Sequence, residues 1–200
     1  MEYAAALYVH GKIVTGTHHG DAFNKLSDKE KNEDICSGFY DKENNKFITD
    51  EKEFYLKQII LVRHADAEHC ENPGITDLGR SQVQRAATFL NAFVNLSGFK
   101  GYASPRRRCQ ETAEEFSNET CLDFNTSDLL RDANEPHPIF VSRLRKLLKE
   151  LPDKSFIISH CDFIKTMAYL ATGINTDNLE VQNCCILFVD NGSLSKLGNL

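Results

Sequence analysis

Four side chains in this sequence are of the types that handle a phosphoryl group: Arg63 and His64 side by side, Arg108, and His160. A guanidinium offers a fork of N–H donors that fits phosphate oxygens two at a time, and an imidazole that is largely neutral near pH 7 can attack phosphorus. Such an attack divides one difficult displacement into two easier ones through a phosphohistidine. The remaining imidazole and the guanidiniums would offset charge spreading over the equatorial oxygens. That is a task of positioning and electrostatics and can proceed without a metal.

These residues must converge, and the pattern of apolar runs says how. From Gln58 onward strand and helix alternate, the signature of an α/β layer fold with a mostly parallel central sheet and helices on both faces. Residues 58–62, 99–103 and 155–159 read as buried strands. The first ends in Arg63-His64, the second in Ser104 with Arg108 one helical turn on, and the third in His160. In open α/β sheets ligands bind beyond the carboxyl ends of the strands, so all four groups belong to one edge. Helices are expected over 76–94, with Ala86, Leu90 and Phe93 on one face, over about 104–116 with Ser104 as N-cap and Pro105 at the first position, over 140–151, and over 162–172 closed by Gly173. A hairpin through Asp190-Asn191-Gly192 is expected to end the chain.

Before residue 57 the composition differs. Residues 21–57 hold ten acidic and seven basic side chains and few apolar ones, which places a boundary between a small α+β appendage, 1–57, and the main domain, 58–200. In the appendage, 4–9 pairs with 12–15 around His10-Gly11, and 38–40 with 46–49 around Glu43-Asn44-Asn45. Ser27 with Glu30, and Asp50 with Glu53, are capping pairs for two short helices. So few apolar side chains make it marginal alone, so it should pack on the main domain or a second chain.

The net charge of −6 gives no positive field for nucleic acid or an anionic membrane. No run approaches the roughly 18 to 20 apolar residues of a membrane helix, and the first nine residues lack a signal-peptide pattern, so the expected location is cytoplasmic. Seven cysteines without a Cys-x-x-Cys pair suggest reduced thiols rather than a disulfide framework or zinc ribbon, with Cys184-Cys185 in a core strand.

The run Leu61-Val62-Arg63-His64-Ala65, then Thr76-Asp77-Leu78-Gly79, then Ser104-Pro105-Arg106-Arg107-Arg108-Cys109-Gln110-Glu111-Thr112-Ala113, then Ile157-Ile158-Ser159-His160, resembles the histidine phosphatase superfamily, the phosphoglycerate-mutase-like group. That group is marked by Arg-His-Gly, Thr-x-x-Gly, Ser-x-x-x-Arg-x-x-x-Thr-Ala and a late Ser-His, and the resemblance covers 57–200. It implies His64 as phosphate-accepting nucleophile, Arg63 and Arg108 as phosphate clamps, His160 as second imidazole, and no cofactor. The family's general acid is usually a Glu in a Leu-x-Glu context. Here Leu130-Arg131-Asp132 occupies it, making Asp132 the expected acid and Glu135 the reserve. Ala65 and Cys161 stand where the family has glycines, and Cys161 is counted with the substrate-binding residues. Asn72 lies near the place of an Asn that often follows the first motif.

The 143 residues after the boundary leave no room for the insertions of the mutases, so the resemblance favours hydrolysis of a phosphomonoester or phosphoramidate over a phosphoglycerate-type mutase. The Arg-His-Ala-Asp-Ala run resembles compact phosphohistidine phosphatases, and the segment Leu129 to Pro138 resembles members acting on phosphoserine and phosphothreonine. The expected partner is a phosphorylated small molecule or protein. Two alternatives stand beside this one: a phosphate-recognition or scaffold protein without turnover, and a metal-dependent hydrolase using His64, Asp66, His69, His137 and His160. Arg106 and Arg107 read as solvated, with Arg107 placed to pair with Glu111. His18-His19 with Asp21 reads as a turn with exposed imidazoles. The appendage faintly resembles a short uncharacterised module of bacterial and phage proteins.

Overall fold

The computed structural model describes residues 3–9, 12–17, 19–32, 35–43, 45–49 and 53–197. Two sheets divide near residue 57. The first has the order β2-β1-β3-β4-β5, from β1 (Tyr3–Val9), β2 (Lys12–Gly16), β3 (Cys36–Asp41), β4 (Lys46–Ile48) and β5 (Glu53–Tyr55), every pairing antiparallel. Both expected strand pairs form, although turn residues His10, Gly11 and Asn44 lie outside the described residues. A short helix α1 (His19–Asn24) packs Ala22 against Leu7, Val9 and Val14. Ser27 and Glu30 make the expected reciprocal cap, the Ser27 N–H donating to Glu30 at 2.7 Å, but it opens a single 3₁₀ turn. Asp50 lies outside the described residues, and Glu53 belongs to β5 rather than to a helix, because Phe54 and Tyr55 pair with Phe47 and Lys46.

The second sheet has the order β11-β10-β6-β9-β7-β8. Its members are β6 (Gln58–Arg63), β7 (Lys100–Ala103), β8 (Phe124–Thr126), β9 (Ser155–Ser159), β10 (Ile186–Asp190) and β11 (Ser193–Lys196). β9 runs parallel to β6 and β7, and β7 to β8, whereas β10 runs antiparallel to β6 and β11, so the sheet is mixed. The antiparallel edge comes from the closing hairpin, whose Asn191 and Gly192 both take positive φ, 47° and 82°, as a tight two-residue turn requires.

The unbroken apolar runs of β6 and β9 follow from burial on both faces. Ile59, Leu61 and Ile157 enter one core with α4 (His137–Glu150) and α5 (Cys161–Thr172). Ile60, Val62 and Ile158 enter another with α2 (Asp77–Phe93) and α3 (Arg107–Thr120). Ala86 and Leu90 face that core as expected. Phe93 does not: it is 74% exposed and stacks on Phe89 one turn back. Gly173 closes α5 in the left-handed region at φ 69°. Ser104 does not cap α3, which has Arg106 at its N-cap, because the Ser104 N–H still bonds to Ile158 in the sheet.

The two sheets are stapled together. Tyr55 joins the α4–α5 core, the Tyr8 hydroxyl donates to the Asn191 carbonyl, and buried Lys57 donates to the Leu148 carbonyl at 2.6 Å and the Lys149 carbonyl at 3.2 Å, at the C-terminal end of α4. A cation is favoured there, since the last carbonyls of a helix lack intrahelical partners. Among the described residues no helix is long and apolar enough to cross a membrane.

Candidate active site

The in-register ends of β6, β7 and β9 place Arg63 opposite Ser159 and Ala103 opposite Ile158, so the next residues, His64, Ser104 and His160, fall at one edge. The His64 N–H donates to the Ser159 carbonyl at 2.9 Å, extending the ladder by one residue. The segment then turns away and is held by the motif residues. The Ala65 N–H donates to Thr112 Oγ1 at 3.1 Å, and that hydroxyl donates to the Arg108 carbonyl at 2.6 Å. One threonine thus ties the loop after His64 to the helix that carries Arg108.

Asp66 is the second tie. Its carboxylate accepts from the Thr76 hydroxyl at 2.7 Å and from Asn183 at 3.2 Å, and its N–H donates to Gln82 at 2.9 Å. Thr76 caps α2 through the Gly79 N–H at 3.0 Å. Gly79 is required for space: a Cβ there would stand 2.3 Å from the Asp66 carbonyl oxygen. The Thr-x-x-Gly pattern is therefore the socket for the loop after His64.

His64 is buried, with Nδ1 2.8 Å from the Ala65 carbonyl oxygen. A carbonyl only accepts, so Nδ1 carries the hydrogen and Nε2 keeps a lone pair. Burial pushes the imidazole down to about 4, the Ala65 bond opposing and the Arg108, His160 and Arg63 charges assisting. The ring is neutral at pH 7 and nucleophilic at Nε2. The His160 ring lies edge-on, centroids 5.5 Å apart.

His160 is engaged on both nitrogens: Nε2 lies 2.9 Å from the buried Ser104 hydroxyl and Nδ1 2.8 Å from Asp132 Oδ1. Arg108 Nη2 donates to Asp132 Oδ2 at 3.1 Å and also lies 3.1 Å from His160 Nδ1, a nitrogen whose hydrogen goes to the carboxylate. Burial pushes the Asp132 carboxyl up, but the His160 hydrogen bond and the His160, Arg108 and Arg106 charges outweigh it and hold the group below the usual range. Arg63 donates from Nη1 to the Val181 carbonyl at 2.8 Å. Arg63 Nε and Arg108 Nε are buried without a hydrogen-bond partner.

His64, Arg63, Arg108, His160 and Asp132 are thus brought together. The Cys161 thiol is not brought onto the imidazoles; it lies 3.9 Å from the Val181 carbonyl, at the first turn of α5. Glu135 is paired with Arg143 at 2.7 Å, and the hydrogen bond from Arg143 holds its carboxyl low. Arg106 lies 3.8 Å from Asp132 at the rim, and Arg107 pairs with Glu111 at 2.7 Å as expected. Asn72 is exposed. Cys109 lies 3.6 Å from His160 Nε2, a thiol that burial pushes up to about 12 and so keeps protonated.

The residues proposed as metal ligands do not assemble. Asp66 is spent on Thr76 and Asn183, His69 and His137 are exposed, and among the described residues no three His, Cys, Asp or Glu side chains gather in a metal-holding group. His18 lies outside the described residues, while His19 bonds through Nε2 to the Gly38 carbonyl at 2.8 Å, half-buried against Phe39.

Residues 59–137 match the model of the histidine phosphatase superfamily (branch 1). Among solved structures, the chain is similar to the protein histidine phosphatase SixA complexed with tungstate, at 19% identity and TM-score 0.54 over 70% of this chain and 93% of that one. It is also similar to a mycobacterial glucosyl-3-phosphoglycerate phosphatase, at 18% identity and TM-score 0.52 over 66% and 89%. A third is a phosphoserine phosphatase from Entamoeba histolytica in complex with 3-phosphoglyceric acid, at 14% identity and TM-score 0.52 over 66% and 89%. At these identities the likeness is one of fold. No curated protein sequence matches the chain.

Proposed function

We propose that the chain, whose residues 59–137 match the histidine phosphatase superfamily model, is a phosphatase of that superfamily that hydrolyses a phosphomonoester or phosphoramidate through a phosphohistidine on His64 Nε2, without a metal. The observation that carries this is the His64 tautomer: Nδ1 is tied to the Ala65 carbonyl and burial keeps the ring neutral, so the second nitrogen is a lone-pair nucleophile among two guanidiniums and an imidazole. In the first step Nε2 attacks phosphorus as the leaving-group oxygen or nitrogen departs with a proton. In the second, water attacks the phosphohistidine and His64 is released. Arg63, Arg108 and His160 stabilise the equatorial oxygens in both. Asp132 is the proton donor in the first step and the acceptor in the second.

The substrate class we propose is a phosphorylated small molecule or protein, with phosphohistidine, phosphoserine and phosphothreonine among the groups to test. All the groups assigned to the site lie within 58–200, and we take 1–57 as a small module of its own. The test is turnover across phosphohistidine, phosphoserine and phosphothreonine peptides, sugar phosphates and an aryl phosphate, in chelator, with wild type and His64→Ala. We expect activity in the wild type, lost in the variant. Phosphate binding without turnover on any substrate would support the scaffold alternative, and activity restored only by a metal would support the metallohydrolase.

A further inference from the structure

The anion that Arg108 and His160 hold in this structure belongs to the protein. Asp132 Oδ2 accepts from Arg108 Nη2 at 3.1 Å, and Oδ1 accepts from His160 Nδ1 at 2.8 Å. These are two of the groups that would clamp a phosphoryl oxygen. His160 has no nitrogen to spare, because Nε2 is tied at 2.9 Å to Ser104, which is fully buried. Asp132 is only half-buried, so the Asp132 side is where a ligand can break in. A phosphoryl oxygen reaches His160 Nδ1 only by replacing the Asp132 carboxylate, and the same replacement releases Arg108.

We propose that Asp132 is the resident counter-ion of the phosphoryl site, and that a dianionic phosphoryl group binds by exchanging with its carboxylate on Arg108 and His160. The inference rests on the phosphatase assignment and adds to it the order of events and a basis for selectivity. The backbone need not move, since Arg143 Nη2 donates to the Arg131 carbonyl at 3.3 Å and the Asp132 carbonyl at 3.4 Å, holding the loop while the side chain swings. The charged and titratable groups around the carboxylate are Arg106 at 3.8 Å, Arg108, His160 and the protonated Cys109 thiol, with Arg143 on the main chain.

After exchange the carboxylate has lost Arg108 and the His160 hydrogen bond and stands beside a dianion. Its affinity for a proton rises, and it takes one from solvent to become the neutral acid. When the His64 Nε2–P bond forms and the bond to the leaving group breaks, that proton goes to the departing oxygen or nitrogen and the carboxylate returns to its anionic form. Binding of substrate therefore loads the acid. A phosphodiester, with a single negative charge, replaces one monoanion by another, gains no Coulomb energy, and is discriminated against.

The test uses tungstate, a dianion at neutral pH that carries no proton to confuse the count, with the full chain. Calorimetric titration at pH 7.5, where tungstate stays a monomeric dianion, in buffers of different ionisation enthalpy gives affinity and proton uptake together, for wild type, Asp132→Asn and Asp132→Ala. Removal of the competing carboxylate is expected to tighten tungstate binding on the order of tenfold in both variants. The wild type is expected to take up more protons per bound ion than either variant. Circular dichroism establishes that each variant is folded, and two variants of different shape guard against a local packing defect. Unchanged or weaker binding in both folded variants, with the same proton count as wild type, overturns the exchange and leaves the phosphatase assignment standing. Failure of the wild type to bind tungstate overturns both.

Discussion

Acidification should destabilise this protein through His64 before it titrates most of the carboxylates of the site. The imidazole is held at about 4 in the folded chain, mainly by burial, against an ordinary value of 6.5. Between those values the unfolded chain binds a proton that the folded chain excludes. The His64 contribution is therefore fully present above pH 6.5, is lost progressively as pH falls toward 4, and is constant below that. At about 1.4 kcal/mol for each pH unit of difference, the loss approaches about 3 kcal/mol, a large part of a typical stability of about 5–15 kcal/mol. Asp132 is held below its ordinary 3.8, so its stabilising contribution is lost mainly below the range in which His64 titrates. The assay is urea unfolding followed by circular dichroism across pH 4 to 7.5, for wild type and His64→Gln. The variant removes this titration, and the difference between the two pH dependences isolates it. The wild type should lose about 3 kcal/mol more than the variant over that range. Parallel curves would refute both the burial argument and the neutral-nucleophile assignment that depends on it.

Three further outcomes follow from the site. Gly79→Ala forces a Cβ against the Asp66 carbonyl oxygen at 2.3 Å, a backbone atom that cannot rotate away, so thermal unfolding should show a loss of about 1–3 kcal/mol and turnover should fall with it. Thr112→Val leaves the Ala65 N–H without its acceptor and cuts the tie to Arg108; chemical denaturation should register about 1–3 kcal/mol, and kcat should fall more than KM rises. Asp132→Asn should slow hydrolysis of alkyl phosphates, whose leaving groups need a proton, more than of activated aryl phosphates; equal losses on the two would argue against Asp132 as the acid.

The shared edge was legible because strand ends carry position: Arg63-His64, Ser104 and His160 each follow an apolar run, and parallel pairing sets them level. Thr112 lies within a sequence motif that does not disclose its task, although a residue four after Arg108 lies on the same helix face and within reach of its carbonyl. Gln82, Asn183 and the use of Glu111 to hold the Ile75 N–H at 2.7 Å left no sequence signal, because each reaches a loop whose path is set by tertiary packing. Ser104 misled for a physical reason. Ser-Pro is a good helix start, but the sheet kept the Ser104 N–H and His160 took its hydroxyl. The same competition acts at Glu53, half of an expected capping pair, which pairing with β4 places in β5. Phe93 failed by periodicity alone, at a helix end where the core no longer reaches.

The proposed chemistry stands or falls on where phosphate goes. The most direct measurement is to mix the protein with an activated aryl phosphate, quench in alkali within the first turnovers, and locate the phosphoryl group by peptide mass spectrometry. One phosphoryl group per chain on the peptide bearing His64, stable in alkali, released in acid and absent from His64→Ala, is the expected result. Steady turnover with no phosphate on His64, or with phosphate on another residue, would contradict it.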